Sequence, residues 1–365
     1  MKRTRDSYYM RIALDLALRG TGKTAPNPKV GCVIVKDDRI TGWGYHKACG
    51  LAHAEVVALD VAGEQARGAT LYVNLEPCSH YGKTPPCTEA IIKAGVSRVV
   101  AAMQDPDPRV SGKGFARLRD AGLEVDIGTC RTEAMEINRG FVTRVQKNRP
   151  WVTLKAAMTM DGCIAQEDGW SRWISNKWSR TRAHLLRASH DALLVGVGTV
   201  VVDDPKLNVR EVTGSAPRVV ILDPSLRTTP DASLFCWGFP LVIASKGADS
   251  RRARELENAG ADVILLSSEE GRPSLVEVLQ LLAGRGVNDL LVEGGAGVLG
   301  SFLKEGLFDG VSLFISPRFL GKGRPVSGGI LNGTLDEAQR IKIQKTILVE
   351  GDLWIEGTSA CSLDS

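Results

Sequence analysis

One histidine and two cysteines are spaced along the first quarter of the chain in a way that suits a metal ion. His53 begins the tripeptide HAE, and Cys78 and Cys87 lie within LEPCSHYGKTPPC. Three such ligands leave the fourth tetrahedral position of zinc open for water, as in catalytic rather than structural zinc sites. Glu55 is then available to transfer protons. The order of these residues is typical of zinc-dependent base deaminases, in which the glutamate is the general acid and base.

Each of these residues also has an ordinary structural interpretation. A single cysteine is more often a small core side chain than a ligand, and four other cysteines fit that interpretation because they lie within or beside apolar strands. They are Cys32, Cys130, Cys163 and Cys236. A His-x-Glu tripeptide is also common by chance. What favours zinc is the combination: His53 and Glu55 open a predicted helix, Cys78 follows an apolar strand, and Cys87 precedes another helix.

Length and composition indicate a globular protein of two domains. The chain has 365 residues, of which 43% are hydrophobic and 24% are charged. Its net charge of +4 is small, and the Lys and Arg residues are interleaved with Asp and Glu. Neither a nucleic-acid surface nor a membrane surface is therefore predicted. The amphipathic start is broken by Arg11 and Asp15, unlike a signal peptide, and no apolar run approaches membrane-spanning length. We therefore expect a cytoplasmic protein with small-molecule ligands.

Helical and strand patterns alternate through the first half. A helix is predicted from Tyr8 to Arg19, followed by two strands around Asp37-Asp38-Arg39, and the later segments alternate in the same way. They are the helix AEVVALDVAG, the strand ATLYVNLE, the helix TEAIIKAG, the strand VSRVVAAM, the helix GFARLRDAG and the strand LEVDIG. The predicted ligands therefore gather at strand carboxyl ends, where open α/β sheets bind ligands.

A helical connector from Arg131 to Lys147 ends at Asn148-Arg149-Pro150, which predicts domains of residues 1–149 and 150–365. The second half restarts with the strand PWVTLKAAMTMDGCIA and a helix for which Ser175 is the candidate N-cap. ALLVGVGTVVV, PRVVILD and PLVIAS are predicted as strands, ARELENAG and LVEVLQLLAGRG as helices, and the end of the chain as an antiparallel hairpin. The prediction is a mixed α/β fold in both domains.

The first half resembles the deaminase domain of the bifunctional riboflavin biosynthesis proteins. The similarity lies in HAE, LEPCSHYGKTPPC, MQDPDPRVSGKG, PNPKVGCVIV and GYH. Eight residues between the cysteines, with SH and TPP among them, distinguish this family from cytidine and tRNA adenosine deaminases, which have two. The resemblance implies a cytidine-deaminase-like α/β/α fold, zinc held by His53, Cys78 and Cys87, and Glu55 as the proton carrier. It also implies a set of substrate contacts at Asn27, His46, His80, Lys83, Asp105 and Asp107. Asp107 replaces the asparagine that is usual there.

The second half resembles the reductase domain of the same family, whose fold is similar to that of dihydrofolate reductase. The segments LKAAMTMDGCIA, WSRWIS, GVGTVVVDDPKLNVR and LVEGGAGVLGSFL occur in the family's order, with Thr159 in place of the usual serine. The resemblance implies NADPH as cofactor, with contacts at Ala157, Trp173, Thr199 and Asp203. It implies substrate contacts at Ser171, Arg187, Leu207, Arg210 and Glu293.

A glycine-rich turn follows the predicted strand DLLVE. Gly295, Ala296, Gly297, Val298, Leu299 and Gly300 match G-x-G-x-x-G, the pattern of a Rossmann dinucleotide site. The context argues against that fold, because the motif lies near the end of its domain and no acidic residue follows about twenty positions on. Backbone N–H groups and a helix N-terminus still suit a pyrophosphate. We therefore interpret Gly294 to Ser301 as the NADPH phosphate cradle; the alternative is a tight turn without a ligand.

Other functional residues also have two interpretations at this point. Arg187 and Arg210 could bind a substrate phosphate through the guanidinium fork, or form ordinary salt bridges. Trp173, taken alone, is better interpreted as a core aromatic residue. Lys155 lies within an apolar strand and could orient the sugar.

The resemblance implies two consecutive reactions and a homo-oligomer. The first is hydrolytic deamination of 2,5-diamino-6-ribosylamino-4(3H)-pyrimidinone 5′-phosphate. The second is NADPH-dependent reduction of the ribosyl group to a ribityl chain. Two alternatives stay open: a deaminase of another base or of nucleic acid, and a protein with one degenerate domain. The aromatic content of 5% and the balanced charge argue against nucleic acid.

Overall fold

The computed structural model describes residues 2–81, 85–269, 271–331, 334, 336 and 338–360. The chain forms two compact units, Met1–Asn148 and Arg149–Ser365. Each unit has its own β-sheet flanked by helices, so the predicted mixed α/β fold is confirmed. Within the described residues, no helix is both long enough and apolar enough to cross a membrane. Lys83, a candidate substrate contact, lies outside the described residues.

The first unit contains a five-stranded sheet and six helices. The helices are α1 (Lys2–Leu18), α2 (Ala54–Ala62), α3 (Cys87–Lys93), α4 (Lys113–Asp120), α5 (Arg131–Ile137) and α6 (Arg139–Lys147). The strands are β1 (Gly31–Lys36), β2 (Arg39–Tyr45), β3 (Thr70–Val73), β4 (Arg98–Ala101) and β5 (Glu124–Ile127). Their order is β2-β1-β3-β4-β5, with β3, β4 and β5 parallel and the other pairs antiparallel.

Alternate residues of the central strands of this sheet bury their side chains on opposite faces. Leu71 and Val73 pack in a core that includes residues of α2, α3 and α4, whereas Tyr72 packs in a second core with residues of α1, α5 and α6. This is the two-residue period of a strand buried on both faces. The unit is therefore a three-layer α/β/α sandwich. Because β3 and β4 are parallel, the segments that follow them emerge at the same edge of the sheet.

The second unit contains a nine-stranded sheet. Its helices are α7 (Lys177–Ser189), α8 (Val197–Asp203), α9 (Ser250–Asn258), α10 (Leu275–Gly284) and α11 (Ala296–Glu305). Its strands are β6 (Trp151–Thr159), β7 (Cys163–Ala165), β8 (Ala192–Gly196), β9 (Arg218–Leu222), β10 (Leu241–Ser245), β11 (Asp262–Leu266), β12 (Ser268–Glu269), β13 (Arg272–Pro273), β14 (Asp289–Val292), β15 (Gly310–Ser316), β16 (Arg324–Pro325), β17 (Ile341–Val349) and β18 (Asp352–Ser359). The chain also contains 3₁₀ turns at Gly63–Ala66 and Ser233–Cys236.

The order of the large sheet is β11-β10-β9-β8-β14-β6-β15-β18-β17. The first seven strands are parallel, and β18 and β17 form the predicted antiparallel hairpin at one edge. One face is covered by α10 and α11 and the other by α8 and α9. The parallel strands β6, β8 and β14 lie side by side, so residues near their carboxyl ends meet at one edge.

Three local predictions in the second unit are wrong. The apolar run ALLVGVGTVVV was predicted as one strand, but the strand ends at Gly196 and α8 begins at Val197. Val197 and Val200 are buried while Val201 and Val202 are exposed, so the run follows a helical period. Asn176, not Ser175, is the N-cap of α7, since its side chain accepts a hydrogen bond from the Ser179 N–H.

The third correction concerns Cys236, which is exposed at the end of a 3₁₀ turn and not part of a core. Cys32 and Cys163 are buried, as the core interpretation predicts, and Cys130 is half-buried. In the first unit the predicted connector is two helices, α5 and α6, which meet at Asn138. The Asn138 side chain accepts from the Lys29 N–H at 2.8 Å and donates to the Lys29 carbonyl at 3.0 Å. The break between α5 and α6 is therefore held by the segment that leads into β1, far away in the sequence.

Candidate active sites

The first candidate site is a cluster of His53, Cys78 and Cys87. Their ligand atoms all lie within 4.8 Å of one another. His53 Nδ1 is 3.2 Å from Cys87 Sγ and 3.6 Å from Cys78 Sγ. Tetrahedral zinc with usual bond lengths would separate its nitrogen and sulfur ligands by about 3.6 Å. The donor set and its spacing therefore fit zinc with one position left open.

Two helix N-termini and the chain after β3 bring these ligands together. His53 is the N-cap of α2, and Cys87 is the first residue of α3. The Thr88 N–H donates to the Cys78 carbonyl at 3.2 Å, and the Cys87 N–H donates to Cys78 Sγ at 3.3 Å. Hydrogen bonds from Cys87 and His53 lower the pKa of Cys78 to about 4. The thiolate form, which binds metals, is thus favoured at neutral pH.

Glu55 lies in the first turn of α2 and is 3% exposed. Burial, followed by the nearby charge of Cys78, raises the pKa of the Glu55 carboxyl to about 7. The Cys87 side chain makes a hydrogen bond with this carboxyl. A carboxyl group with a pKa near neutral can both accept and release protons, as general acid–base catalysis requires. Glu55 therefore lies beside the metal cluster with a carboxyl group that can gain or lose a proton near neutral pH.

Asn27 and His46 form a hydrogen-bonded pair beside the cluster. His46 Nδ1 lies 3.2 Å from the Ala52 carbonyl oxygen, so this nitrogen must carry the proton. Nε2 is then the acceptor for the Asn27 side-chain amide at 3.0 Å. Burial lowers the pKa of His46, which keeps the ring neutral. The His46 ring meets the His53 ring edge-on, with centroids 5.5 Å apart.

The loop after β4 carries Asp105 and Asp107. The Asp105 carboxylate accepts the Asp107 N–H at 2.8 Å, and burial raises the pKa of Asp105 to about 6. Asp107 is paired with Arg109, whose Nε lies 2.9 Å from Oδ1, and hydrogen bonds from Arg109 lower the pKa of Asp107 to about 2. The negative charge introduced at position 107 is therefore neutralised locally. His80 is exposed on the segment that follows Cys78.

The second unit contains a buried charged cluster of Lys155, Arg187 and Glu293. Arg187 Nε and Nη2 donate to the two carboxylate oxygens of Glu293, each at 2.8 Å, and Lys155 Nζ lies 3.7 Å from Oε2. Burial opposes ionisation of Glu293, yet the charges of Arg187 and Lys155 hold its pKa at about 2. Burial also lowers the pKa of Lys155. The structure thus gives Arg187 a salt bridge, the second of its two sequence interpretations.

The segment from Leu207 to Arg210 lies against this cluster. Arg187 Nη1 donates to the Asn208 carbonyl at 3.3 Å, and Arg210 Nη1 donates to the Asn208 side chain at 3.2 Å. Leu207 is buried, and its φ of +51° lies in the left-handed region. Two candidate substrate residues, Arg187 and Arg210, are therefore linked through Asn208, which follows Leu207 in the chain. The described hydrogen bonds do not connect Ser171 with them.

The glycine-rich turn lies between β14 and α11, with Gly295 as the N-cap. A Cβ added at Gly294 would lie 2.5 Å from the Val298 Cβ, and one added at Gly300 would lie 2.2 Å from the Ser327 carbonyl oxygen. A Cβ at Gly297 would meet nothing within 4 Å. Gly294 and Gly300 are thus required by packing, whereas Gly297 borders open space. The open part of the turn and the α11 N-terminus are therefore the parts that a phosphate group could approach.

Some of the other candidate cofactor residues belong to the turn and α11, and the rest lie on other elements of the second unit. A Cβ at Gly295 would lie 3.5 Å from Thr199 Oγ1, so the turn and α8 meet there. Leu299 is buried in the core, and Ser301 donates to the Gly297 carbonyl at 2.9 Å. Ala296 opens α11, and Ala157 is half-buried on β6. The Leu299 N–H donates to the Gly295 carbonyl at 3.1 Å, so neither the side chain nor the N–H group of Leu299 is available to a cofactor.

Trp173 is 60% exposed, which contradicts its interpretation as a core residue. The Arg180 guanidinium lies 4.3 Å from the ring centroid, so a cation–π contact holds the indole at the surface. Arg172 donates to the Asp203 carbonyl, and burial raises the pKa of the Asp203 carboxyl. An exposed, oriented indole is available to a planar ligand.

Two residues near these sites were missed from the sequence. Glu76 is buried directly before Pro77 and Cys78, and the signal available was an acid at the end of an apolar strand. His184 is buried one helical turn before Arg187, with Nε2 3.9 Å from Glu211 Oε1. The spacing of three residues on a predicted helix was the signal for His184.

Comparison with known proteins gives the family. A family model described as the RibD C-terminal domain matches residues 150–349, and one described as the cytidine and deoxycytidylate deaminase zinc-binding region matches residues 3–103. The riboflavin biosynthesis protein RibD of Aquifex aeolicus is 45% identical over 97% of this chain and 99% of its own. The same protein of Escherichia coli is 42% identical over 87% of this chain and 89% of its own.

Solved structures agree with these matches. RibD of Acinetobacter baumannii superposes with a TM-score of 0.91 at 37% identity, covering 98% of this chain and 99% of its own. A diaminohydroxyphosphoribosylaminopyrimidine deaminase/5-amino-6-(5-phosphoribosylamino)uracil reductase of Thermotoga maritima superposes with a TM-score of 0.88 at 36% identity, covering 99% and 100%. The two family models confirm the expected cofactors, zinc for the first unit and NADPH for the second. The alternatives of a nucleic-acid deaminase and of a degenerate domain are not supported. The chain belongs to the RibD family of bifunctional riboflavin biosynthesis enzymes, with a deaminase unit followed by a reductase unit.

Proposed function

We propose that the domain of residues 1–149 deaminates 2,5-diamino-6-ribosylamino-4(3H)-pyrimidinone 5′-phosphate, and that the domain of residues 150–365 then reduces the product's ribosyl group. The final product is 5-amino-6-ribitylamino-uracil 5′-phosphate. The observation that carries the proposal is the cluster of His53, Cys78 and Cys87 with Glu55 buried beside it. A metal site with one open position and an adjacent proton carrier suits hydrolysis of an aromatic amine.

In the deaminase reaction, His53, Cys78 and Cys87 would hold the zinc ion, and Glu55 would move the protons. Zinc, when bound, would act as a Lewis acid and lower the pKa of the water that it binds to about 7. Glu55 takes one proton from the attacking water and delivers it to the ring nitrogen next to the reacting carbon. Glu55 then transfers the second water proton to the amino group. The carbon–nitrogen bond breaks, and ammonia leaves while a carbonyl forms.

The remaining deaminase residues would bind and orient the substrate. His46 is neutral with its proton on Nδ1, and the Asn27 amide fixes the orientation of the ring. Asp105 and Asp107 lie on one loop. The Asp105 carboxylate suits an exocyclic amino group or a sugar hydroxyl, and Asp107, which is paired with Arg109, would border the substrate. His80 and Lys83, on the segment between the two cysteines, would contact the ribosyl phosphate.

In the reductase reaction, Lys155, Arg187 and Glu293 would form the floor of the substrate site. The two buried cationic side chains of Lys155 and Arg187 outnumber the single buried carboxylate of Glu293. The cluster therefore has a net positive charge, which suits a phosphorylated substrate. Arg210, Leu207 and Ser171 would complete this site. NADPH, when bound, supplies a hydride to the anomeric carbon of the opened sugar.

The cofactor would lie along the glycine-rich turn and α8. Backbone N–H groups at the start of α11, from Gly295 to Val298, would face its phosphates, and Thr199 borders the same turn. Trp173, Asp203 and Ala157 would contact the rest of the cofactor. Trp173 is exposed and oriented, which supports its role in stacking on a flat ring.

We also propose that the enzyme is a cytoplasmic homo-oligomer that acts on a small molecule and binds neither nucleic acid nor membrane. The described cysteines are all unpaired, as in proteins of a reducing compartment. An oligomer is supported by the edge strand β17, where Ile343 and Leu348 are 60% and 74% exposed. Light scattering of the purified chain measures the oligomeric state.

The test of the proposed function is a coupled assay with the diaminopyrimidine phosphate as substrate. Ammonia release and NADPH oxidation are followed in the same reaction, with and without NADPH. We expect ammonia in both cases, and NADPH oxidation only after ammonia appears. NADPH oxidation that precedes ammonia release would reverse the proposed order, and no ammonia at all would contradict the deaminase assignment.

A further inference from the structure

Glu76 is a buried acid that the deaminase chemistry described above does not use. It lies two residues before Cys78 and is 4% exposed. In the part of the chain that the structure describes, Glu76 forms no salt bridge with a Lys or Arg side chain. A buried carboxylate without a cation must be compensated by hydrogen bonds, because its desolvation is costly. The partners of Glu76 are therefore informative.

Within the described residues, the Glu76 carboxylate accepts hydrogen bonds from backbone N–H groups. Oε2 accepts from Asp105 at 3.1 Å and from Gly112 at 3.0 Å. Oε1 accepts from Gly114 at 2.8 Å and from Phe115 at 3.4 Å. The last two donors lie in the first turn of α4, whose N-cap residue provides no side-chain cap. Glu76 thus caps α4 from a distant segment, and the helix dipole favours its charge.

One oxygen atom of Glu76 fastens both ends of the loop from Asp105 to Gly112. This loop carries Asp107 and its ion pair with Arg109. The contact with α4 is also close, because a Cβ added at Gly114 would lie 2.1 Å from the Pro77 carbonyl oxygen. The loop is therefore attached to the segment that leads into Cys78.

A second contact joins α4 to the segment after Cys78. Arg117 donates to the Ser79 carbonyl at 3.4 Å and to Glu89 Oε1 at 2.7 Å. The segment that holds Cys78 is thus bound to α4 on both sides of the ligand. A shift of α4 or of its preceding loop would change distances to the metal cluster.

We propose that Glu76 is a positioning residue of the deaminase, which holds Asp105 and Asp107 at a fixed distance from the metal cluster. The proposal rests on the proposed deaminase function, since Asp105 and Asp107 are taken as substrate contacts. Glu76 itself touches neither substrate nor metal. Its effect is on the placement of the substrate and not on the proton transfers of Glu55.

Glutamine is the informative replacement because it keeps the size of the side chain. Its amide has one acceptor oxygen, so the NH₂ group would face one pair of backbone N–H donors. Either Asp105 and Gly112 or Gly114 and Phe115 would lose their acceptor. Two lost bonds to a charged group are enough to release the loop while the core stays intact.

The experiment compares Glu76→Gln with Glu64→Gln in the full chain. Glu64 is exposed on a 3₁₀ turn of the same unit and serves as the matched control. For Glu76→Gln we expect KM for the diaminopyrimidine phosphate to rise about tenfold or more, with kcat changed less than about threefold. Zinc content should stay equal to that of the unaltered chain. NADPH oxidation with the deaminated substrate should be unchanged, which shows that the second unit is folded, while the retained zinc reports on the first unit.

Amide hydrogen exchange tests these contacts without an activity assay. In the unaltered chain the amides of Asp105, Gly112 and Gly114 should exchange slowly, and in Glu76→Gln the amides of the pair that loses its acceptor should exchange faster. Fast exchange in the unaltered chain overturns the proposal. So does loss of zinc from the variant, or a fall in kcat at constant KM. If the unaltered chain releases no ammonia, the deaminase function fails, while amide exchange still decides whether Glu76 holds the loop.

Discussion

Arg187 and Glu293 form two parallel hydrogen bonds, Nε to Oε1 and Nη2 to Oε2, each 2.8 Å long. Their side chains are 14% and 8% exposed, so the pair is shielded from water. Lys155 adds a second positive charge 3.7 Å from Oε2. Glu293 therefore holds the two positively charged side chains of Lys155 and Arg187 in place at the proposed reductase site.

Replacing Glu293 by glutamine should abolish the reductase reaction and weaken the second unit. Lys155 and Arg187 would then be buried cations without a counter-charge. Removing one partner of a buried ion pair lowers the free energy of unfolding by about 3 kcal/mol or more. We expect NADPH oxidation to fall by about 100-fold or more, because the substrate site loses its geometry. Ammonia release by the first unit should be unchanged. Both reactions are measured on the same preparation.

The matched control is Asp262→Asn. Asp262 also accepts from two arginines, Arg218 and Arg285, but its side chain is 36% exposed. Exposed ion pairs contribute about 1 kcal/mol or less, so this variant should keep both activities. Equal loss of NADPH oxidation in the two variants would show that the Glu293 effect is not specific to the buried site.

The pH dependence of stability should also report on Glu293. Its pKa is lowered from 4.5 to about 2, so the folded state favours the charged form. This stabilisation is present above pH 4.5 and is lost as the pH falls toward 2, and it amounts to about 3 kcal/mol. The difference in unfolding free energy between the unaltered chain and Glu293→Gln should therefore shrink over that range. Tryptophan fluorescence can follow it, because only Trp43 of the seven tryptophans lies outside the second unit. A difference that stays constant from pH 7 to 2.5 would contradict the low pKa.

The metal cluster was predictable from the sequence because its geometry depends on local features. His53 and Cys87 each lie at the start of a helix, and Cys78 follows a strand. Helix starts and strand ends can be recognised within a few residues. The parallel order of the sheet then brings these ends to one edge.

The ion pair of Arg187 with Glu293 and the hydrogen bonds of the Glu76 carboxylate were not predictable in the same way. Arg187 and Glu293 are 106 residues apart, and Glu76 meets donors 29 to 39 residues further on. No local pattern encodes such pairings. The α8 error has a related cause, since β-branched residues favour strands and only tertiary packing of Val197 and Val200 selects the helix.

Exchange of Glu55 for glutamine should abolish ammonia release. The amide cannot carry a proton between water and the ring, and loss of a general acid–base group costs about 10² to 10⁴ in rate. Zinc content and NADPH oxidation with the deaminated substrate should be retained. Retained ammonia release in Glu55→Gln would refute the assigned role of this residue.

Removal of the metal should inactivate only the first unit. Treatment with a chelator, or the exchange Cys87→Ser, should stop ammonia release and lower the thermal stability of the first unit, since three ligands would no longer be joined. Added zinc should restore the chelated chain but not Cys87→Ser. The exposed Cys49 provides the matched control, because Cys49→Ser should keep its zinc and both activities. Full ammonia release by a chain shown to be free of zinc would contradict the metal assignment.

Restoring the usual family residue at position 107 should improve substrate binding. Hydrogen bonds from Arg109 lower the pKa of Asp107 to about 2, so Asp107 is charged at neutral pH and neutralises the Arg109 guanidinium, which could otherwise attract a substrate phosphate. In Asp107→Asn the Arg109 charge would be released, and KM should fall by about two- to fivefold at low ionic strength. The improvement should shrink in 0.5 M salt, because exposed charges are then screened within about 4 Å. The double variant with Arg109→Gln should lose the improvement. A KM that rises in Asp107→Asn would show instead that the carboxylate itself accepts a hydrogen bond from the substrate.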